Sequence, residues 1–237
     1  MAATMTVTVD EFEVADPADA WTRAGFSVDS GGGADAVCRV GGVGIRLVGR
    51  GDGAAPAATS GTGAAPAATS ERGAGIVGWS LRGLPAGLVV DLDGIPTARS
   101  PGTTVVPSAH PNGVIAIDHV VLLSPDLGRT VASLAAVGLE PRRERAGELG
   151  GRPMRQIFYR LRDVIVEVVG SPGTAADGPS TLWGLTYVVA DIDATVAFLG
   201  DRTSPVKDAV QPGRRITTLR HDAFGMSVRT ALISARR

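Results

Sequence analysis

Two stretches with one shared pattern decide the fold of this chain. Residues 114–127 read VIAIDHVVLLSPDL, and residues 182–192 read LWGLTYVVADI. Each is an apolar run of strand length that ends in a turn and an acidic residue. Apolar residues then recur at helical spacing until a glycine, Gly138 or Gly200, which is typical of a helix end. Further strand-like segments follow, so we predict a β-α-β-β-β unit twice, at about 114–170 and 181–234.

The N-terminal half carries a weaker version of the same unit. A strand is predicted over residues 7–14, with an acid, a short helix and two more strands after it. The predicted helix-capping acids are followed by a charged residue near the end of each unit. This spacing is 30 residues for Asp16 and Arg46, 41 for Asp126 and Glu167, and 38 for Asp191 and Arg229. A fourth copy begins at residues 75–84 but lacks its helix.

Two stretches of biased composition divide the chain. Residues 51–73 contain GAAPAATS twice, and this tract has too few large apolar groups to offset the entropy of ordering it. We therefore predict a disordered loop there. Residues 91–113 are rich in proline and glycine and predict an extended linker. The predicted domains are a degenerate module or modules over 1–90 and a paired domain over 114–237.

Composition excludes several classes of protein. The chain has 237 residues, 44% of them apolar, and its 23 basic and 24 acidic residues leave a net charge of −1. That balance speaks against nucleic acid as a partner, and no apolar run is long enough to span a membrane. The single cysteine, Cys38, excludes a disulfide framework and a cysteine-based zinc site. We expect a cytoplasmic protein, and the strong preference for arginine over lysine is typical of a GC-rich bacterial genome.

His119 lies seven residues before the capping acid Asp126, and Glu167 stands within the later strand VIVEVV. This arrangement, with its second copy around Asp191, resembles the vicinal oxygen chelate superfamily. That group contains glyoxalase I, extradiol dioxygenases, fosfomycin-resistance transferases and bleomycin-binding proteins. The resemblance implies an α+β fold of tandem glyoxalase-like βαβββ units whose curved mixed sheets surround a cavity.

Metal-dependent members of that superfamily hold the ion with up to four side chains, from the first and last strands of each unit. By position, the first unit supplies His119 and Glu167, whereas the second has Gly184 and Arg229. Two protein ligands rarely hold a divalent ion well. We therefore expect no cofactor, and a salt bridge between Glu167 and Arg229 where the metal would lie. The alternative is a divalent metal on His119 and Glu167, and these two residues are the candidate catalytic groups in either case.

A set of basic and polar residues is predicted to bind a ligand. Neighbouring residues of a strand point to opposite faces of its sheet, so one member of each adjacent pair should face the cavity. Arginine suits the recognition of carboxylate or phosphate, which indicates a small organic anion. The candidates are Arg155, Gln156, Tyr187, Lys207, Arg214, Arg215 and Arg229. We expect the other two histidines, His110 and His221, to be solvated.

Three functions remain open at this point. The first is a small-molecule-binding protein without metal, and the second is a metal-dependent isomerase, lyase, dioxygenase or thiol transferase that uses His119 and Glu167. The third is a non-catalytic protein whose N-terminal half is an interaction module. We expect a monomer or a homodimer with a small-molecule ligand and neither nucleic acid nor membrane as a partner.

Overall fold

The computed structural model describes residues 6–29, 36–50, 73–87, 91–102 and 105–236. These residues form two mixed β-sheets, of seven and eight strands, with three α-helices. No helix in this described part of the chain has the length and apolar character needed to cross a membrane. All but the last residue of the predicted disordered loop, 51–73, lies outside the described residues.

The seven-stranded sheet contains the N-terminal strands in the order β2-β3-β4-β1-β5-β7-β6. Its elements, with α1, are β1 (Thr8–Val14), α1 (Ala18–Arg23), β2 (Val28–Asp29), β3 (Ala36–Val40), β4 (Val43–Leu47), β5 (Ile76–Arg82), β6 (Asp91–Leu92) and β7 (Ile95–Arg99). The strand β1 pairs in parallel with β4 and antiparallel with β5, and β5 pairs in parallel with β7.

The eight-stranded sheet has the order β13-β14-β15-β12-β8-β11-β10-β9. Its elements and helices are β8 (Val114–Leu123), α2 (Leu127–Ala136), β9 (Arg143–Leu149), β10 (Arg152–Leu161), β11 (Val164–Gly170), β12 (Thr181–Val189), α3 (Ile192–Leu199), β13 (Lys207–Asp208), β14 (Arg215–Thr218) and β15 (Arg229–Ser234). Short 3-10 helices span Gly200–Arg202 and His221–Phe224. Both predicted βαβββ units are present, and the predicted fold class is confirmed.

The predicted linker over 91–113 is too long, because its first part is folded. β6 and β7 lie within it, and β7 completes the parallel pair with β5. These two short strands are as rich in proline and glycine as a linker is, because strands near a sheet edge and the turns beside them tolerate proline and glycine. The segment that joins the two sheets therefore begins after Arg99.

The acids of the two C-terminal helices cap them as the sequence predicts. Asp126 accepts a hydrogen bond from the backbone N–H of Arg129, and Asp191 accepts from those of Asp193 and Ala194. Such caps satisfy N–H groups that have no partner within the helix. These caps fix where each helix leaves its first strand.

Asp16 does not cap α1, contrary to the prediction. Its fully buried carboxylate instead accepts hydrogen bonds from Trp21 Nε1 at 3.1 Å and from Ser227 N and Oγ at 2.8 and 2.6 Å. Arg50 Nη2 lies 3.7 Å from the same carboxylate. Because Ser227 comes two residues before β15, this contact anchors the start of a strand of the other sheet.

The eight-stranded sheet curves as a half-barrel and has two different faces. On one face, alternate residues such as Val120, Val166 and Leu185 are buried in a core that also contains Leu134 of α2 and Leu199 of α3. The residues between them point the other way, because strand side chains alternate, and most are only partly buried. We call this second surface the open face.

His110 and Tyr187 both differ from the predictions because the two sheets pack together around them. His110 is buried: its Nδ1 accepts from Ser27 N at 3.0 Å, and its Nε2 donates to Arg39 O at 3.1 Å. Burial lowers the pKa of this imidazole. Tyr187 is fully buried against Phe26, with ring centroids 5.3 Å apart, and does not reach the open face. His221 is half-buried, and burial lowers its pKa as well.

Candidate functional site

A chain of polar side chains crosses the centre of the open face. His119 on β8 lies between two carboxylates: its Nδ1 is 2.9 Å from Asp118 Oδ2, and its Nε2 is 3.6 Å from Glu167 Oε2 on β11. Gln156 on β10 donates from Nε2 to Glu167 Oε1. Both predicted catalytic residues are thus neighbours, and β8 and β11 bring them together by pairing in parallel.

Asp118 reaches this network because the strand is irregular at that point. His119 pairs with Thr186 of β12 and Ile117 pairs with Tyr187, so Asp118 is an extra residue with no partner on β12. Such a bulge redirects a side chain and is common beside functional sites. No local sequence pattern indicates this bulge, so Asp118 was not predicted as a site residue.

Arg214 holds the other oxygen of Asp118. Arg214 Nη1 donates to Asp118 Oδ1 at 2.6 Å, while Arg214 Nε donates to the Ser234 carbonyl oxygen at 2.7 Å. Burial opposes ionisation of Asp118, but hydrogen bonds and charge attraction from His119 and Arg214 outweigh it and lower the pKa to about 2. Asp118 is therefore a carboxylate at neutral pH.

This arrangement fixes what His119 can do. An ionised carboxylate only accepts hydrogen bonds, so Asp118 must receive the proton on Nδ1. The lone pair of a neutral ring then lies on Nε2, directed towards Glu167 and the open face. His119 can accept a proton from a molecule bound there, with Asp118 holding the ring in that orientation.

The other predicted ligand-binding residues divide between the two faces. Arg155 pairs with Glu144, and Arg215 pairs with Asp193, both on exposed surface away from the network. Their sequence neighbours Gln156 and Arg214 enter the network, as strand alternation predicts. Lys207 on β13 is exposed and forms no ion pair with a described residue.

The predicted salt bridge between Glu167 and Arg229 is wrong for the described structure. Arg229 instead lies over the ring of Trp183, with 5.1 Å from Cζ to the ring centroid. The pairing register puts Glu167, Val121, Gly184 and Arg229 in one row across four strands. Three strand spacings, about 14 Å, separate the backbones of the two charged residues. They share a face but are not neighbours.

Comparison with known proteins agrees with this topology. Residues 118–218 match the family described as the Glyoxalase/Bleomycin resistance protein/Dioxygenase superfamily. This match covers 101 of the 237 residues of the chain. The matched segment runs from Asp118 through both helices of the eight-stranded sheet and ends with β14. No curated protein matches the chain in sequence.

Two solved structures extend the likeness over both sheets. A mutant 4-hydroxymandelate synthase from Streptomyces coelicolor is 16% identical, with a TM-score of 0.59 over 97% of this chain and 94% of that one. A xylose isomerase-like TIM barrel/4-hydroxyphenylpyruvate dioxygenase fusion protein is 12% identical, with a TM-score of 0.61 over 99% of this chain and 49% of that one. The present chain thus spans about half of the fusion protein. At these identities the likeness establishes the fold.

The donor set can be tested against the metal centres of the superfamily. His119 Nε2 and Glu167 Oε2 are near enough to share an ion. Asp118 accepts the hydrogen bond from Nδ1, as a carboxylate commonly does for the other ring nitrogen of a metal-bound histidine. Catalytic metal centres, however, have at least three protein ligands. The second unit does not repeat this pair: Gly184 pairs directly with Arg229, whereas His119 pairs with Ile165, two residues before Glu167, so the register that matches Gly184 to His119 matches Ala231 to Glu167, and the predicted equivalence of Arg229 is wrong. The described residues contain no group of three or more His, Cys, Asp or Glu side chains suited to a metal. The residues present do not fit a resident metal ion.

Three arginines that were not predicted as site residues share the open face with His119 and Glu167. They are Arg143, Arg145 and Arg160, and strand pairing places them opposite Phe158, Gln156 and Ile165, respectively. No ion pair joins any of them to an acid among the described residues. The alternation Arg-Glu-Arg at 143–145, just before the Gly-Gly turn at 150–151, is the signal that would have located two of them.

Proposed function

We propose that this chain binds a small organic anion with an apolar body on the open face, without a metal ion. One observation carries the proposal. Arg229 lies on the open face in the same register row as Glu167, and it has no acidic partner among the described residues. A cation at that place favours an anionic ligand over a metal ion.

The charge on the open face supports the same conclusion. Within the described residues, its cations without an acidic partner are Arg143, Arg145, Arg160, Lys207 and Arg229. The opposing negative charge on this face is that of Glu167, because the charge of Asp118 is already neutralised by Arg214. The chain as a whole has a net charge of −1, so this excess of positive charge is local. Such a surface attracts anions of any kind, and the residues that lie between the charges decide which anion binds most tightly.

The floor between these charges is apolar. Val121, Leu123, Ile165 and Val169 lie on the open face and are only partly buried, as is Phe158. Burial of apolar surface contributes about 25 cal/mol per Å², so a ligand with a hydrocarbon or aromatic body gains more than a bare inorganic ion. His119 would then lie beside the bound molecule and could exchange a proton with it.

A thermal-shift experiment in the presence of EDTA tests the proposal. Octanoate at about 100 times its dissociation constant should stabilise the fold by about 2.7 kcal/mol, a rise in Tm of about 5–10 °C. Octanamide, which has the same chain without the charge, should give a much smaller shift, and Arg229→Met should lose most of the response to octanoate. Arg215→Met is the matched control, because Arg215 pairs with Asp193 on the other surface.

Two outcomes would refute the proposal. One is equal stabilisation by octanamide and octanoate, which would mean that the charge is not recognised. The other is a thermal shift of Arg229→Met with octanoate that equals that of the wild type, which would show that Arg229 does not bind the carboxylate. A response that appears only when a divalent metal replaces EDTA would favour a metal-dependent enzyme instead.

A further inference from the structure

We infer that the preferred ligand is an elongated dianion whose two charged ends bind to two arginine–aromatic pairs on opposite sides of the open face. The inference rests on the proposed function and specifies its substrate class. The first clamp consists of Arg143 and Phe158, and the second consists of Arg229 and Trp183.

The two clamps have the same construction. Arg143 Cζ lies 4.7 Å from the centroid of the Phe158 ring, and Arg229 Cζ lies 5.1 Å from that of Trp183. Stacking on a ring holds a guanidinium in place and leaves its N–H donors available at the edge. Trp183 is 37% exposed, although large apolar side chains are usually covered. Each pair is therefore a preformed receptor for one carboxylate.

Both clamps lie on one line across the sheet. The pairing register joins Arg143 to Phe158, Phe158 to Glu167, Glu167 to Val121, Val121 to Gly184 and Gly184 to Arg229. The aromatic residues stand on β10 and β12, which are three strand spacings or about 14 Å apart. One hydrogen-bond length of about 3 Å at each end leaves about 8 Å between the two anionic groups.

The middle of this line rejects a charge and accepts an apolar chain. Glu167 lies there, and a second carboxylate beside it would be repelled. Val121 is apolar, and Gly184 adds no polar side chain to the line. A Cβ at Gly184 would approach the Arg229 carbonyl oxygen to 2.6 Å, so only glycine fits so close to β15. The line thus has positive ends and a middle suited to hydrocarbon.

The test compares acids of different length and charge by isothermal titration calorimetry, with EDTA present. We expect suberate, a dicarboxylate, to bind about tenfold or more tightly than octanoate, which has the same carbon chain and one carboxylate. Succinate is too short to reach both clamps and should bind no better than octanoate. Arg143→Met should reduce the affinity for suberate to about that for octanoate and should weaken octanoate much less, because Arg229 can still bind a single carboxylate.

Arg155→Met is the matched control, since Arg155 pairs with Glu144 on the opposite side of the same hairpin. Equal affinities for suberate and octanoate, or an unaltered affinity of Arg143→Met for suberate, would overturn the dianion inference while the proposed function stands. A wild-type protein that binds none of the three acids would instead refute the proposed function itself.

Discussion

Replacing Arg214 with methionine is expected to lower the free energy of unfolding by about 3–5 kcal/mol, the usual cost of leaving one member of a buried ion pair alone. The side chains of Arg214 and Asp118 are only 3% and 9% exposed, so water cannot replace the lost guanidinium. Urea unfolding followed by circular dichroism measures the change directly. The corresponding fall in Tm is about 10 °C for a chain of this size.

Its neighbour Arg215 provides the control. Arg215→Met should change stability by no more than about 0.5 kcal/mol, because its partner Asp193 is exposed and such surface pairs contribute little. The double variant Asp118→Asn with Arg214→Met should recover part of the loss, since no unpaired charge remains buried. Equal effects of the two arginine substitutions would show that Arg214 is not buried on Asp118.

Asp16→Ala should be about as damaging, at about 3–5 kcal/mol. The substitution removes the acceptor for Trp21 Nε1, Ser227 N and Ser227 Oγ within a fully buried site. Because Ser227 precedes β15, the loss also frees the start of that strand, and urea unfolding followed by circular dichroism measures the change in stability.

Asp19→Ala is the control for Asp16→Ala. Asp19 lies three residues further on, in α1, but it is exposed and pairs with Arg23 one helical turn away, so its removal should cost about 0.5 kcal/mol or less. A loss of less than about 1 kcal/mol for Asp16→Ala would contradict the anchoring role given to its carboxylate.

The paired C-terminal units could be predicted from the sequence because local signals agree there. The caps at Asp126 and Asp191 and the apolar strands before them mark each unit without reference to the rest of the chain. The unit that begins with β5 lacks a helix, and its β6 is two residues long, so the stretch resembles a linker. Pairing with β5, a tertiary contact, is what makes β7 a strand.

The details of the site were harder to predict from the sequence than the fold was. Glu167 and Arg229 share a register row, but no local pattern shows that β8 and β12 lie between their strands. Tyr187 stands in the largely apolar run LWGLTYVV, and a bulge at Trp183 in β12 changes which residues face the core, so alternation along the run cannot assign its face. Asp118 depends on another irregularity of the same strand pair. Bulges and strand order are properties of the assembled sheet.

The central claim, that an organic anion binds here without metal, is tested most directly by calorimetric titration of octanoate into the protein before and after dialysis against EDTA. The predicted result is the same affinity in both titrations, together with well under one equivalent of zinc, iron, manganese or nickel in the purified protein. Arg229 would supply the positive charge that holds the carboxylate. Near-stoichiometric metal, with binding lost after EDTA and restored by that metal, would contradict the claim.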